Sequence, residues 1–466
     1  MIDNFYLLTG WLNNHSLLLA ATEAATESDA EEGTLVLAGV LLSLVIIYFA
    51  SKLGGEICSR INLPPVLGEL VGGVLVGISA FHLLVFPESS AVEDSLIISM
   101  LQTTAGLTPE AAQSVFASQS EVISLLSELG VIILLFEIGL ESDLKELIRV
   151  GPIAAIVAVV GVIAPFVSGT LGLIYIFNTP VIPAVFAGAA LTATSIGITA
   201  KVLAELGQLS SEEGQIIIGA AVLDDILGIV VLAVVASLVK TGEIQISNIV
   251  YLIISAAVFL IGSILVGRLI SPLIVGLVNE MKTRGQVLLT GLVFAFILSY
   301  IATVINLEGI LGAFAAGLIL AETEKRKELE EQIVPVADFF VPIFFVCVGA
   351  KTDLSVLNPT VASNREGLII ATFLILVAIL GKVITGFTIF GNPDINKLAI
   401  GVGMIPRGEV GLVFAGVGSA SGALSEATEA AIIVMVIATT FVAPPLLRLV
   451  FKEPGSATQA VDKVGE

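Results

Sequence analysis

Hydrophobic residues in this chain fall in long runs separated by short polar breaks. A run of roughly 17 to 25 apolar residues is long enough to cross a bilayer as a helix. Thirteen such spans are predicted, near 34–53, 65–87, 121–141, 152–177, 181–203, 214–238, 247–267, 286–304, 308–322, 334–350, 366–390, 397–420 and 428–450. The ninth is the shortest. Thirteen divides as six, one linker and six. An offset of seven helices between equivalents makes the second six run opposite to the first, the inverted-repeat plan of secondary transporters. The expected fold is therefore an all-α, multi-pass membrane protein with two inverted repeats and a linker helix.

Composition agrees. Of 466 residues, 56% are hydrophobic and only 13% charged, whereas a soluble protein averages about a quarter charged. The lipid bilayer is the expected partner. The net charge of −21 comes with no basic patch, which excludes nucleic-acid binding. Two cysteines far apart, Cys58 and Cys347, and two histidines, His15 and His82, leave little material for a disulfide, a metal centre or haem ligation. No cofactor is expected. The acidic stretch "TEAATESDAEEG" (22–33) closes an N-terminal segment that reads as disordered or partly processed.

Basic residues orient the spans. Lys382 and Arg407 lie inside spans, and Lys240, Lys351 and Arg365 fall in loops on one side. All other basic residues from Lys52 onward fall on the opposite side. The predicted orientation is N-terminus outside and C-terminus cytoplasmic. The default location is a bacterial plasma (inner) membrane, with a thylakoid membrane the alternative for a photosynthetic source.

Two symmetry-related spans are locally irregular. The fifth contains "LTATSIGITA" (191–200), with Thr192, Thr194 and Ser195, and the twelfth contains "MIPRGEVG" (404–411), with Pro and Gly around Arg407 and Glu409. Proline removes a helix hydrogen bond, and freed backbone at membrane depth is tolerated only where it lines a cavity or is buried in protein. Small-residue packing is the alternative for the Thr/Ser stretch alone; the two together predict a pair of crossed, broken helices.

"AAVLDDILGIVV" (220–231) then places Asp224 and Asp225 side by side in an apolar run. An ionised Asp at mid-bilayer costs on the order of 3 kcal/mol or more. Counting rise from the cytoplasmic ends puts Asp224, Lys382 and Arg407 at one level, roughly 15–18 Å in. Buried charges at one depth are expected to pair. Adjacent helix positions point about 100° apart, so one acid faces a basic residue and the other a cavity. A carboxylate in a cavity binds a proton or a hard cation such as Na+, which prefers oxygen ligands. Thr192, Thr194, Ser195 and unwound carbonyls are candidates to complete such a site. Lys382 reads either as a locking salt bridge or as a participant in proton movement. Glu69 and Glu137 are further intramembrane acids, functional or else paired with Arg407 or packed at a dimer contact; Glu409 reads as a partner of Arg407. A salt-bridge network that only fixes helix register is the structural alternative for the acid pair.

Together "PPVLGELVGGVLVG", "LLFEIGLE", "TATSIGITAKVLAELG", "AAVLDDILGI", "GKVITG" and "MIPRGEVGLV" resemble the monovalent cation:proton antiporter-2 family, in particular its thirteen-helix sodium/proton exchangers. The resemblance implies a homodimer whose scaffold is 34–141 and 285–350, with a mobile core of 151–240 and 366–450. An extracytoplasmic segment (1–33), a linker helix (247–279) and a cytoplasmic tail (451–466) complete the plan. It further implies that Asp225 is the shared Na+ and proton ligand, that Asp224 pairs with Lys382, and that exchange is electrogenic. Potassium/proton relatives tend to carry Gln at the first Asp and a soluble nucleotide-binding domain after the last helix; neither feature is expected here. Potassium/proton exchange remains the nearer alternative and a cation channel the distant one. A channel calls for rings of like groups rather than one asymmetric pair. Glu137 has no counterpart in the family pattern.

Overall fold

The computed structural model describes residues 3–87, 91–241, 246–390 and 395–451, with side chains from Glu32 onward apart from a few positions such as Glu409. The described residues form sixteen α-helices and two short 3-10 turns, with no strand among them. In chain order they are α1 (Asp3–Arg60), α2 (Pro65–Val76), α3 (Leu96–Ala105), α4 (Pro109–Glu141), α5 (Leu144–Phe177), α6 (Val181–Ala190), α7 (Ile196–Glu205) and α8 (Glu212–Thr241). The chain continues with α9 (Ile246–Glu280), α10 (Gln286–Val304), α11 (Gly309–Ala321), α12 (Arg326–Ala350), α13 (Ala362–Phe387), α14 (Lys397–Gly403), α15 (Glu409–Ala420) and α16 (Glu426–Phe451). Among the described residues, nine helices are long and apolar enough to cross a membrane. The other four predicted spans are the short α2 and α11 and the interrupted pairs α6/α7 and α14/α15.

Packing partners repeat at an offset of seven spans. Helix α1 lies on α2 as α10 lies on α11, α5 on α8 as α13 on α16, and α2 on α12 as α11 on α4. Contacts are dense within the group α1, α2, α4, α10–α12 and within the group α5–α8, α13–α16, and thin between the two. Linker helix α9 touches both α8 and α11, and Arg268 forks onto Glu322 at the end of α11 at 2.7 and 2.8 Å.

Local chemistry explains where the elements start. Pro109 opens α4 behind Thr108, whose side chain accepts from Ala111 N at 3.3 Å. Asp143 caps α5 through the amides of Lys145 and Glu146, so that helix begins eight residues before the expected boundary and carries Pro152 internally. The second span differs more. Helix α2 ends at Val76 rather than running to 87, because the backbone turns away to bond the end of α12. Ile78 N donates to Ala350 O at 3.2 Å, and Ser79 Oγ donates to Thr352 O at 2.6 Å. Helix α3, capped by Ser95, was not expected from hydropathy; at 10 residues it is too short to register as a span. The expected extracytoplasmic segment and cytoplasmic tail fall on residues whose side chains or placement lie outside the description.

Candidate cation site

Helix α6 stops at Ala190 and α7 starts at Ile196; helix α14 stops at Gly403 and α15 starts at Glu409. The two gaps cross. In the first, the Thr192 hydroxyl turns back onto Ala189 O at 2.7 Å, a local bond that competes with helix continuation. In the second, Pro406 has no N–H and disfavours helix at the residue before it. The freed backbone pairs across the crossing. Ser195 N donates to Pro406 O at 2.8 Å, Thr194 Oγ1 to Met404 O at 3.2 Å and Thr199 Oγ1 to Gly403 O at 3.0 Å. Gly408 leaves room for this approach, since a Cβ there would stand 2.8 Å from Ser195 Oγ.

The C-terminal ends of α6 and α14 thus face each other, and both carry partial negative charge from unpaired carbonyls. Arg407, fully buried, fills that spot. Its Nη2 donates to Leu191 O at 2.6 Å and its Nη1 to Met404 O and Ile405 O, each at 3.2 Å. The carbonyl of Arg407 in turn accepts from the Thr440 hydroxyl on α16. Arg407 is therefore a clamp on helix ends, which overturns the expectation that Glu69 or Glu137 pairs with it. The Ser51 hydroxyl donates to Glu69 at 2.9 Å, and Glu137 lines a separate cavity. The side chain of Glu409 lies outside the described residues.

Asp224 and Asp225 sit mid-way along α8. Lys382 Nζ on α13 reaches Asp224 at 3.1 and 3.3 Å, with both side chains fully buried. Arg407 lies within Coulombic reach of Asp224 as well. Asp225, only 6% exposed, points elsewhere. It lines a cavity of about 10 Å³ with Thr194, Ser195, Gly408 and Glu308. That space suits about one water-sized body. The first turns of α7 and α15 border it, so partial positive charge from helix N-termini faces the carboxylates. Thr192, bonded within its own turn, is not among the residues lining the cavity. Glu308 was missed as a site residue because it merely opens a predicted span. The available signal was span length: α11 has 13 residues, so Glu308 begins a helix of about 20 Å, shorter than the roughly 30 Å hydrocarbon core.

The small cavity shares Val131 with one of about 180 Å³ that also meets Glu128 and Lys351. It shares Gly408 with another of about 70 Å³, which reaches Lys351 and Thr352 at the end of α12. At the opposite membrane face, a cavity of about 270 Å³ lined by Glu137, Glu141, Arg326 and Glu330 has no lining residue in common with it. Among the described residues, no cluster of three or more His, Cys, Asp or Glu has metal-holding geometry.

Two inverted six-span repeats, with two interrupted helices crossing beside a buried carboxylate, define a secondary active transporter rather than an enzyme. The chain belongs to the sodium/hydrogen exchanger family, whose transmembrane profile matches residues 30–453. It is 76% identical over 429 residues to the High-affinity Na(+)/H(+) antiporter NhaS3 of Synechocystis sp., covering 92% of this chain and 93% of that one. It is 31% identical over 422 residues to the Na(+)/H(+)-K(+) antiporter GerN of Bacillus cereus, covering 90% and 97%. The solved sodium proton antiporter MjNhaP1 of Methanocaldococcus jannaschii shares the fold, with TM-score 0.59 at 18% identity over 91% of this chain and all of that one.

Proposed function

We propose that this protein exchanges Na+ for protons by alternating access, with Asp225 as the ligand that both ions use in turn. The observation that carries the reading is the division of labour at α8. Asp224 is held by Lys382, while its neighbour Asp225 lines a cavity at the helix crossing with Thr194 and Ser195. Oxygen donors around a carboxylate suit a hard monovalent cation, and the same carboxylate takes a proton when the cation leaves. The Lys382–Asp224 pair supplies the second charge step: if it gives up a proton during the cycle, two protons move against one Na+ and exchange is electrogenic. The group α5–α8 and α13–α16 carries the site against the group α1, α2, α4 and α10–α12, which holds the contact of a homodimer. The neighbouring cavities that meet Glu128 and Lys351 support reading this conformation as outward-facing, with the N-terminus outside in a plasma or thylakoid membrane. The similarity to a Na(+)/H(+) antiporter of Synechocystis supports the choice of ions.

The test is reconstitution in proteoliposomes with Na+, Li+ or K+ at several pH values, with and without a clamped membrane potential. Saturable Na+ uptake driven by a pH gradient is expected. Uptake that needs no gradient and does not saturate would point to a channel, and preference for K+ would replace the cation while keeping the carrier.

A further inference from the structure

We propose that Glu308 is a second carboxylate of the cation site, one that serves it only from the face to which the cavity now opens. The proposal rests on the carrier reading above and deepens it. Glu308 stands at the start of α11 and lines the same cavity of about 10 Å³ as Asp225, Thr194 and Ser195. In a space for about one water-sized body, two carboxylates and two hydroxyl residues together form an oxygen set of the kind hard cations take. The Glu308 side chain makes no capping hydrogen bond at the start of α11. The cavity it lines is also bordered by Asp225 on α8, Thr194 and Ser195 of the α6/α7 gap, Val131 on α4 and the first turns of α7 and α15.

The two acids belong to different helix groups. Asp225 rides on α8, which packs on α5; Glu308 rides on α11, which packs on α4 and α10. That second attachment is tight, because α11 meets its neighbours backbone to backbone. A Cβ on Gly312 would stand 2.3 Å from Leu298 O on α10, and one on Gly317 would stand 2.3 Å from Phe136 O on α4. Movement of one group past the other therefore separates Glu308 from Asp225. Thr194 and Ser195 travel with Asp225, and Glu308 stays behind. The cation then meets two acids at one membrane face and one at the other. Loading is tighter at the cavity face, and release at the opposite face is easier because a ligand has been left behind.

The experiment measures Na+ KM from each face in right-side-out and inverted vesicles, for wild type, Glu308→Gln and Glu308→Asp, at a pH where Na+ affinity no longer changes with pH. Glu308→Gln is expected to raise KM about tenfold from the cavity face and less than twofold from the other, with Glu308→Asp recovering most of the loss. An equal change at both faces, or none, overturns the proposal. So does a tenfold loss that Glu308→Asp fails to recover and that accompanies a lowered melting temperature, since that marks a structural role. A wild type with no gradient-driven Na+ uptake overturns the carrier reading itself, which separates that failure from this one.

Discussion

Asp224 and Asp225 are neighbours in sequence with opposite surroundings, and that contrast sets what each is expected to do when replaced. Asp225 faces the small cavity, whereas Lys382 bonds Asp224. Asp225→Asn keeps the volume and removes the charge that a cation needs. Exchange in liposomes is expected to vanish while the protein stays folded and elutes at its native size; half of wild-type turnover would end the assignment. Lys382→Ala acts on stability instead. Removing one partner of a fully buried pair typically costs about 3–5 kcal/mol, because the remaining charge has lost its counter-ion. A clear drop in melting temperature is expected, together with weaker dependence of transport on membrane potential. The double variant Asp224→Asn/Lys382→Ala should recover part of the lost stability, since no lone charge is then left. Equal melting temperatures for the single and double variants would show that the pair contributes nothing beyond the lysine's packing.

At the level of elements, the decisive feature is the pair of opposed helix ends held by Arg407. Its three bonds go to carbonyls of two different helices, so it joins α6 to α14 as well as satisfying each. Arg407→Leu removes the guanidinium donor from the buried carbonyls of Leu191 and Ile405, at about 1–3 kcal/mol apiece, while Met404 O keeps the Thr194 hydroxyl, and the variant is expected to lower thermal stability more than Asp225→Asn does. Arg407→Lys should fall between, because an ammonium lacks the planar fork that spans two helix ends. Equal stability of the lysine variant and wild type would mean that one carbonyl contact suffices. The interruptions themselves were legible in the sequence: Pro406 and the cluster Thr192, Thr194, Ser195 break a helix for local reasons. The partner of Arg407 was not legible, since a sequence shows charges but hides helix ends as acceptors. For the same reason Glu69 and Glu137, deep in predicted spans, looked like its counter-ions, yet one sits with Ser51 and the other at the opposite cavity. The Asp224–Lys382 pairing was readable from depth and resemblance together. Glu308 escaped because hydropathy runs find where a span is but not how far short of the surface it stops. The early end of α2 escaped too, being set by hydrogen bonds to α12 that lie some 270 residues away in the chain.

At the scale of the whole molecule, two helix groups are in thin mutual contact, and on the proposed reading the coupling of ions follows from their sharing one site. A carrier that moved Na+ and a proton across together would run as a symporter rather than as an exchanger. On the proposed reading a shared carboxylate prevents this, because Asp225 holds one ion or the other as the site passes between faces. The sign of the pH effect follows. Na+ needs the ionised carboxylate, so protons weaken its apparent affinity as pH falls, by about tenfold per unit when one proton is displaced and more steeply where the buried pair titrates as a unit. Above the site's own titration range the proton no longer competes, and affinity becomes flat. Maximal rate follows the opposite limit: at high pH the return of the protonated site becomes scarce, so turnover falls even though Na+ binds well. Na+ KM and the rate at one fixed, sub-saturating Na+ concentration, measured across roughly pH 5 to 9, should therefore give a KM that falls as pH rises and a bell-shaped rate. A KM that does not change with pH, in a protein that still exchanges, would show that the two ions use separate groups, and Asp225 would then have to be assigned to one of them alone.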